Sequence, residues 1–318
     1  MVRMRRARLQ PSARARVVER TALRFSASVA QAVGTGWVRS GSALVRFGKR
    51  LAMVQDDALW LAWLDAGGEL QAQALATEAS GERLIHDKRR KPDFEAAAVI
   101  PGVPERLLVF GSGGLASRER IAILSESQGV RLVEATALYA SWRCEPRFAG
   151  AELNIEGAFV DGTRLVVCSR SNGALSRDPE AFDATAEIQL SELLAYLEAP
   201  HTAAVPRLGQ IEQYQLGQID GVRLTLTDAA LRDGQRYYVA AAEASAGAIS
   251  DGPVHGVSLG LLAEDARYAL IEDESGQPLR EKVEGLTPVP DSEDWLAIVD
   301  ADDVTKPSNL LRLRCQGL

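Results

Sequence analysis

The chain has 318 residues, 46% hydrophobic and 25% charged, with a formal net charge of −7. Those proportions are ordinary for a water-soluble globular protein, no window approaches the roughly 18 apolar residues of a membrane span, and the acidic balance argues against a groove for nucleic-acid phosphates. Cys144, Cys168 and Cys315 are widely spaced with no CxxC or CxxH pattern, so neither a zinc site nor a disulfide framework is expected; the three read as packing residues in a reducing, cytoplasmic compartment.

The opening MVRMRRARLQPSARARVVER is arginine-rich and has no acidic residue before Glu19. It lacks the apolar stretch of a secretory signal and reads as a disordered basic tail over residues 1–16, followed by one domain over residues 17–318. A strand is predicted near Val17 to Phe25. Five segments then repeat one pattern: SGSALVRFGKRLAMVQDD from Ser40, PDFEAAAVIPGVPERLLVFGSGG from Pro92, NIEGAFVDGTRLVVCSRSN from Asn154, LTDAALRDGQRYYVAAAE from Leu226 and KVEGLTPVPDSEDWLAIVDADD from Lys282. Each opens with a small or acidic residue followed by Ala or Gly, and runs through an apolar stretch and a turn. A second apolar stretch follows, ending in polar residues.

Turn pairs such as Asp161-Gly162 and Asp233-Gly234 mark each copy as a β-hairpin. Runs such as LLVF, LVVC and LAIV are almost continuously apolar, the pattern of strands covered on both faces. Between copies, IAILSE and VEATALYA read as two further strands after the second hairpin, as do GVSLGLLAED and RYALIEDE after the fourth. AEIQLSELLAYLEAP is the exception, with Leu190, Leu193, Leu194 and Leu197 at a spacing that suits a short helix or a strand with an inserted helical turn.

Four strands per repeat predict an all-β protein, a β-propeller of five four-stranded blades, with six blades as the alternative. SNLLRLRC and RVVERTALRF, from opposite ends of the sequence, would complete the last blade and remove its open edge.

Ser42, Glu95, Glu156, Asp228 and Glu284 are taken as equivalent first positions of the copies, spaced by 53, 61, 72 and 56 residues. In a propeller they would face one mouth of the central channel, and four carboxylates there would repel one another unless a cation sat among them. Glu95, Glu156, Asp228 and Glu284 are therefore the predicted metal ligands. Calcium is the predicted ion, since hard dications accept such oxygen sets. Asp56, Asp57, Ser112, Arg170, Asn172, Glu243, Asp300 and Asp302, at or just after the second strands, with Lys91, Arg118 and His255, are candidates for holding a ligand or offsetting charge. His86, His201 and His255 lack HxxH or HExxH spacing, which argues against a histidine metal site, and GSGG around Ser112 is not a nucleophile elbow.

The segments KPDFEAAAVI, LNIEGAFVDGTRLVVCSRSN and KVEGLTPVPDSEDWLAIVDADD resemble a family of bacterial β-propeller proteins of unknown function, over most of the chain from about Trp37 onward. The Glu-Gly openings are also similar to those of the phytase-related esterase-like propellers and of the calcium-dependent gluconolactonases. The latter likeness implies a calcium-ligand role for Glu156 or Glu284, although the inner asparagines of that family are not evident here apart from Asn172. The overall expectation is a monomeric binding or interaction protein that takes a small molecule or a protein at its channel mouth, with no nucleic-acid or membrane partner. The alternative is a metal-dependent hydrolase of an ester, lactone or phosphoester.

Overall fold

In the computed structural model, the described residues are 4–76, 83–85, 87, 89–171, 180–244, 252–301 and 303–318. The described residues are mostly β, 53% of them in strands and 11% in helices. Among the described residues no helix is long and apolar enough to cross a membrane.

Each repeated segment forms an antiparallel hairpin whose first strand is the innermost of its sheet. These inner strands are Gly41–Phe47, Phe94–Ile100, Ile155–Asp161, Val222–Arg232 and Lys282–Pro288. Each touches the next, and Lys282–Pro288 touches Gly41–Phe47, so they stand around a common axis in cyclic order. At the tip of the fourth hairpin, Asp233 and Gly234 both have positive φ (51° and 72°), the conformation that a two-residue turn between right-twisted strands requires. The core lies between neighbouring sheets: Val54 and Trp63 of the first pack with Val109 and Leu124 of the second, and Leu108 of the second packs with Val167 and Ile188 of the third.

The last sheet runs in the order Lys282–Pro288, Asp294–Asp300, Asn309–Gln316 and Arg14–Ala22, so residues from both ends of the sequence share it. Residues 1–16 were expected to be a disordered tail. Instead Met4–Arg6 pairs parallel with Leu208–Gln215 in the third sheet, Arg8–Leu9 with Arg267–Glu272 in the fourth, and Arg14 onward with the last. The open backbone groups of three sheet edges provide the partners that composition alone does not reveal. Ile271 and Glu272 also pair with Ala15 and Arg16, joining the fourth and last sheets.

VEATALYA is not a strand throughout: the strand Gly129–Glu134 ends at its second residue and a helix spans Thr136–Arg143, burying Leu138, Tyr139 and Trp142. Those three recur at helical spacing, which a strand would place on opposite faces. AEIQLSELLAYLEAP divides between a strand, Asp183–Gln189, and a helix, Leu190–Glu198. All three cysteines are free; Cys168 is buried, but Cys144 is exposed and so does not pack as expected.

Candidate site at the channel mouth

Each inner strand carries a register break, near its start in four strands and midway along Val222–Arg232, where one extra residue faces no partner. The extra residue is Ser42, Glu95, Glu156 or Glu284 in four of the strands, because the pairing skips from Gly41 to Ala43, Phe94 to Ala96, Ile155 to Gly157 and Val283 to Gly285. In the fourth strand it skips from Leu226 to Asp228, so the equivalent residue is Thr227 and not Asp228. Two hydroxyls confirm that alignment: Ser42 Oγ donates to Phe94 O at 2.6 Å and Thr227 Oγ1 to Val283 O at 2.6 Å, each reaching the residue before the next strand's bulge.

Where glycine follows the bulge, the neighbouring inner strand passes too close to leave room for a side chain. A Cβ on Gly285 would stand 2.6 Å from Leu44 N, and one on Gly157 would stand 3.0 Å from Ala229 N. Asp228 occupies this position in the fourth strand. Its carboxylate accepts from Ala229 N (2.7 Å) and Leu286 N (2.8 Å), tying two inner strands together. Burial, despite those donors, holds its carboxyl well above the usual aspartate range, with the charge of Glu156 adding to the effect. Asp228 is thus a strand-to-strand tie, and the equivalent positions supply three carboxylates and two hydroxyls.

On one side of the mouth the carboxylates are compensated. Arg170, 5% exposed, donates to Glu156 Oε1 (3.3 Å), Glu243 Oε2 (3.0 Å) and Thr225 Oγ1 (2.9 Å). Asn154 Nδ2 also donates to Glu156 Oε1, at 2.5 Å, while Lys282 Nζ lies 2.6 Å from Glu284 Oε1 and 3.6 Å from Glu243 Oε2. Burial alone would lower the affinity of Arg170 for its proton, but the charges of Glu156, Glu243 and Glu284 outweigh burial and raise it. Asp300 faces Lys282 across the hairpin.

On the other side, Asp56, Asp93 and Glu95 bring ligand oxygens within 4.8 Å of one another. Lys91 Nζ bonds Asp56 and lies 2.8 Å from Asp93 Oδ1; Arg118 Nη1 lies 2.5 Å from Asp93 Oδ2, which also accepts from Ser112 Oγ. Burial raises the Asp93 carboxyl, but Lys91 and Arg118 pull it down further, leaving it below its ordinary value. Glu95 has the opposite environment. It is 8% exposed and accepts no hydrogen bond among the described residues, and burial, then the charges of Asp93, Asp56 and Glu156, push its carboxyl well above the glutamate range against the opposing pull of Lys91.

Of the remaining candidates, Asp57 is paired with buried Arg39 beside Asp56 and within the field of Lys91, and His255 Nδ1 lies 3.6 Å from Asp220. Asn172 and Asp302, like His86, fall outside the described residues. Sequence reasoning missed Asp93, Asn154 and Lys282, each two residues before a bulge glutamate. The period-two alternation of a strand puts such pairs on one face, which was the available signal.

The family model described as "Family of unknown function (DUF6929)" matches residues 37–315. The chain belongs to that family. No curated protein matches its sequence. Among solved structures, it is similar to a GH43 β-1,3-galactosidase with galactodeoxynojirimycin, at 8% identity and a TM-score of 0.48, covering 92% of this chain and 93% of that one. It is also similar to virginiamycin B lyase from Staphylococcus aureus, at 9% identity and a TM-score of 0.41, covering 95% and 99%. A third is an exo-1,5-α-L-arabinanase from a bovine ruminal metagenomic library, at 9% identity and a TM-score of 0.44, covering 89% and 97%. Likenesses this remote do not speak to the ligand or reaction of this DUF6929 chain.

Proposed function

We propose that this DUF6929 chain is a five-bladed propeller that works as a monomeric binding protein, taking a cation at the Asp56–Asp93–Glu95 side of its channel mouth, with calcium the simplest candidate. The observation that carries this reading is Glu95, a buried carboxylate that accepts no hydrogen bond among the described residues and stands beside two further carboxylates. A hard dication accepts such an oxygen set and would remove the repulsion that Glu95 otherwise bears. Lys91 already places an ammonium between Asp56 and Asp93, so an incoming cation displaces Lys91 or shares those oxygens with it. Glu156 and Glu284 are the weaker ligands because Arg170 and Lys282 hold them.

The test is thermal unfolding with millimolar calcium and with a chelator, on wild type and Glu95→Gln. Calcium is expected to raise the wild-type Tm through mass action and to leave the variant unchanged. Because the folded-state pKa of Glu95 is raised, its ionised form weakens the fold as pH climbs above the ordinary glutamate range. Without calcium at pH 7.5, Glu95→Gln is therefore expected to be the more stable protein, with the gain fading as pH falls into the ordinary glutamate range. A wild type indifferent to calcium and chelator, or a variant that responds equally, sinks the reading. Calcium-dependent turnover of an ester, lactone or phosphoester that Glu95→Gln abolishes would move the same carboxylates into a metal-dependent hydrolase.

A further inference from the structure

Away from the mouth, a cavity of about 440 Å³ opens between the helix Ala27–Val33 and the outer edge of the first sheet. Val29 and Val33 from the helix and Ala72 and Ala74 from the outermost strand, Leu70–Ala74, form much of its wall, and two alanines on that strand leave the volume unfilled. The size lies within the range of small-ligand sites. Trp60 also lines the cavity; it is 2% exposed, and its buried Nε1–H has no acceptor among the described residues. A buried indole N–H ordinarily finds a partner. Arg83 stands among the lining residues, donates to Ala32 O at 2.5 Å, and has no carboxylate partner among the described residues.

We propose that this cavity binds a small amphiphilic anion, with an apolar body against Val29, Val33, Ala72 and Ala74 and acceptor oxygens that answer Arg83 and the Trp60 indole. The Trp60 indole is an unmet donor and Arg83, exposed at the rim and bonded to Ala32 O, adds a cation, so charge complementarity selects a carboxylate over a neutral or cationic head. Apolar walls select a short alkyl or aryl chain over a sugar.

The experiment is a titration of the ¹⁵N-labelled full chain with octanoate, following the indole resonances, with Trp60→Phe assigning the one that belongs to Trp60. A saturable shift of the Trp60 N–H signal is expected in wild type. Arg83→Gln should weaken binding about tenfold, and octanol should bind about tenfold more weakly than octanoate. Ala74→Met, which fills the cavity, should abolish the shift while the other indole signals stay in place and report an intact fold. If the Ala74→Met spectrum reports a disturbed fold, Ala72→Leu serves as the filling variant. The absence of a saturable shift, a shift that survives filling, or equal binding of octanol and octanoate would overturn the proposal.

Discussion

The two sides of the channel mouth hold similar residues in different electrostatic states. Glu156, Glu243 and Glu284 share Arg170 and Lys282, whereas Glu95 sits beside Asp56 and Asp93, to which Lys91 and Arg118 are directed. A repeat places equivalent carboxylates around an axis; it does not place their partners. Those come from residues that differ between copies, such as Arg170 where the second hairpin has Ser112, and they decide which carboxylate has a cation bonded to it.

Removing the shared guanidinium should have the largest effect on this contrast. Arg170→Met leaves Glu156 and Glu243 buried without their main partner, and breaking a buried ion pair from one side typically costs about 3–5 kcal/mol. Urea unfolding is expected to show a loss of that size. A change below about 1 kcal/mol would mean that the compensated side is not held by charge.

A smaller, pH-dependent effect is expected from Asp183 on the same side. Its Oδ1 accepts from Ser171 N (3.0 Å) and Leu226 N (3.3 Å), but burial wins over those donors and the charges of Arg223 and Arg170, and its carboxyl is pushed up to about 6. Since the folded-state pKa is raised, its ionised form costs stability as pH rises through the window between 3.8 and about 6, by up to about 3 kcal/mol above it. Asp183→Asn should remove this dependence, so the stability difference between variant and wild type should shift in favour of the variant between pH 4 and 7. An unchanged difference across that range would show that Asp183 is not the source.

The smallest effect belongs to the uncharged positions. Thr227→Val removes the hydroxyl bridge to Val283 O and should cost about 1 kcal/mol, with no change in any response to calcium. A loss of that response would place Thr227 in the ion site and redraw the boundary between the two sides.

Much of the architecture was legible in the sequence because hairpin turns and apolar runs are local signals. Asp233-Gly234 marks a turn wherever it stands. The bulge register was harder to read. Asp228-Ala229 has the look of Glu95-Ala96, and only the pairing of Leu226 with Ala240 and of Asp228 with Val239 reveals that Thr227-Asp228 is the equivalent pair. Glu156 and Glu284 were legible as mouth residues, but their neutralisation by Arg170 and Lys282 was not, since side-chain partnership across sheets depends on three-dimensional reach. The pairing of Met4–Arg6 and Arg8–Leu9 was hidden for a related reason: the strands they join lie more than two hundred residues later, and arginine-rich composition says nothing about a waiting edge.

The last sheet has a consequence for the order in which the protein assembles. Ala22 pairs with Asn309 and Arg14 with Gln316, so Arg14–Ala22 finds its main partner only after Asn309–Gln316, far later in the sequence, has left the ribosome. Until then Asn309–Gln316 is missing between Asp294–Asp300 and Arg14–Ala22, and the cyclic contact between Lys282–Pro288 and Gly41–Phe47 has to form without that support. Contacts of such sequence separation slow folding because the chain entropy is lost before the pairing returns it. Closure is therefore a late and concerted event, and the unpaired edges of a shortened chain would be open to pairing with another copy.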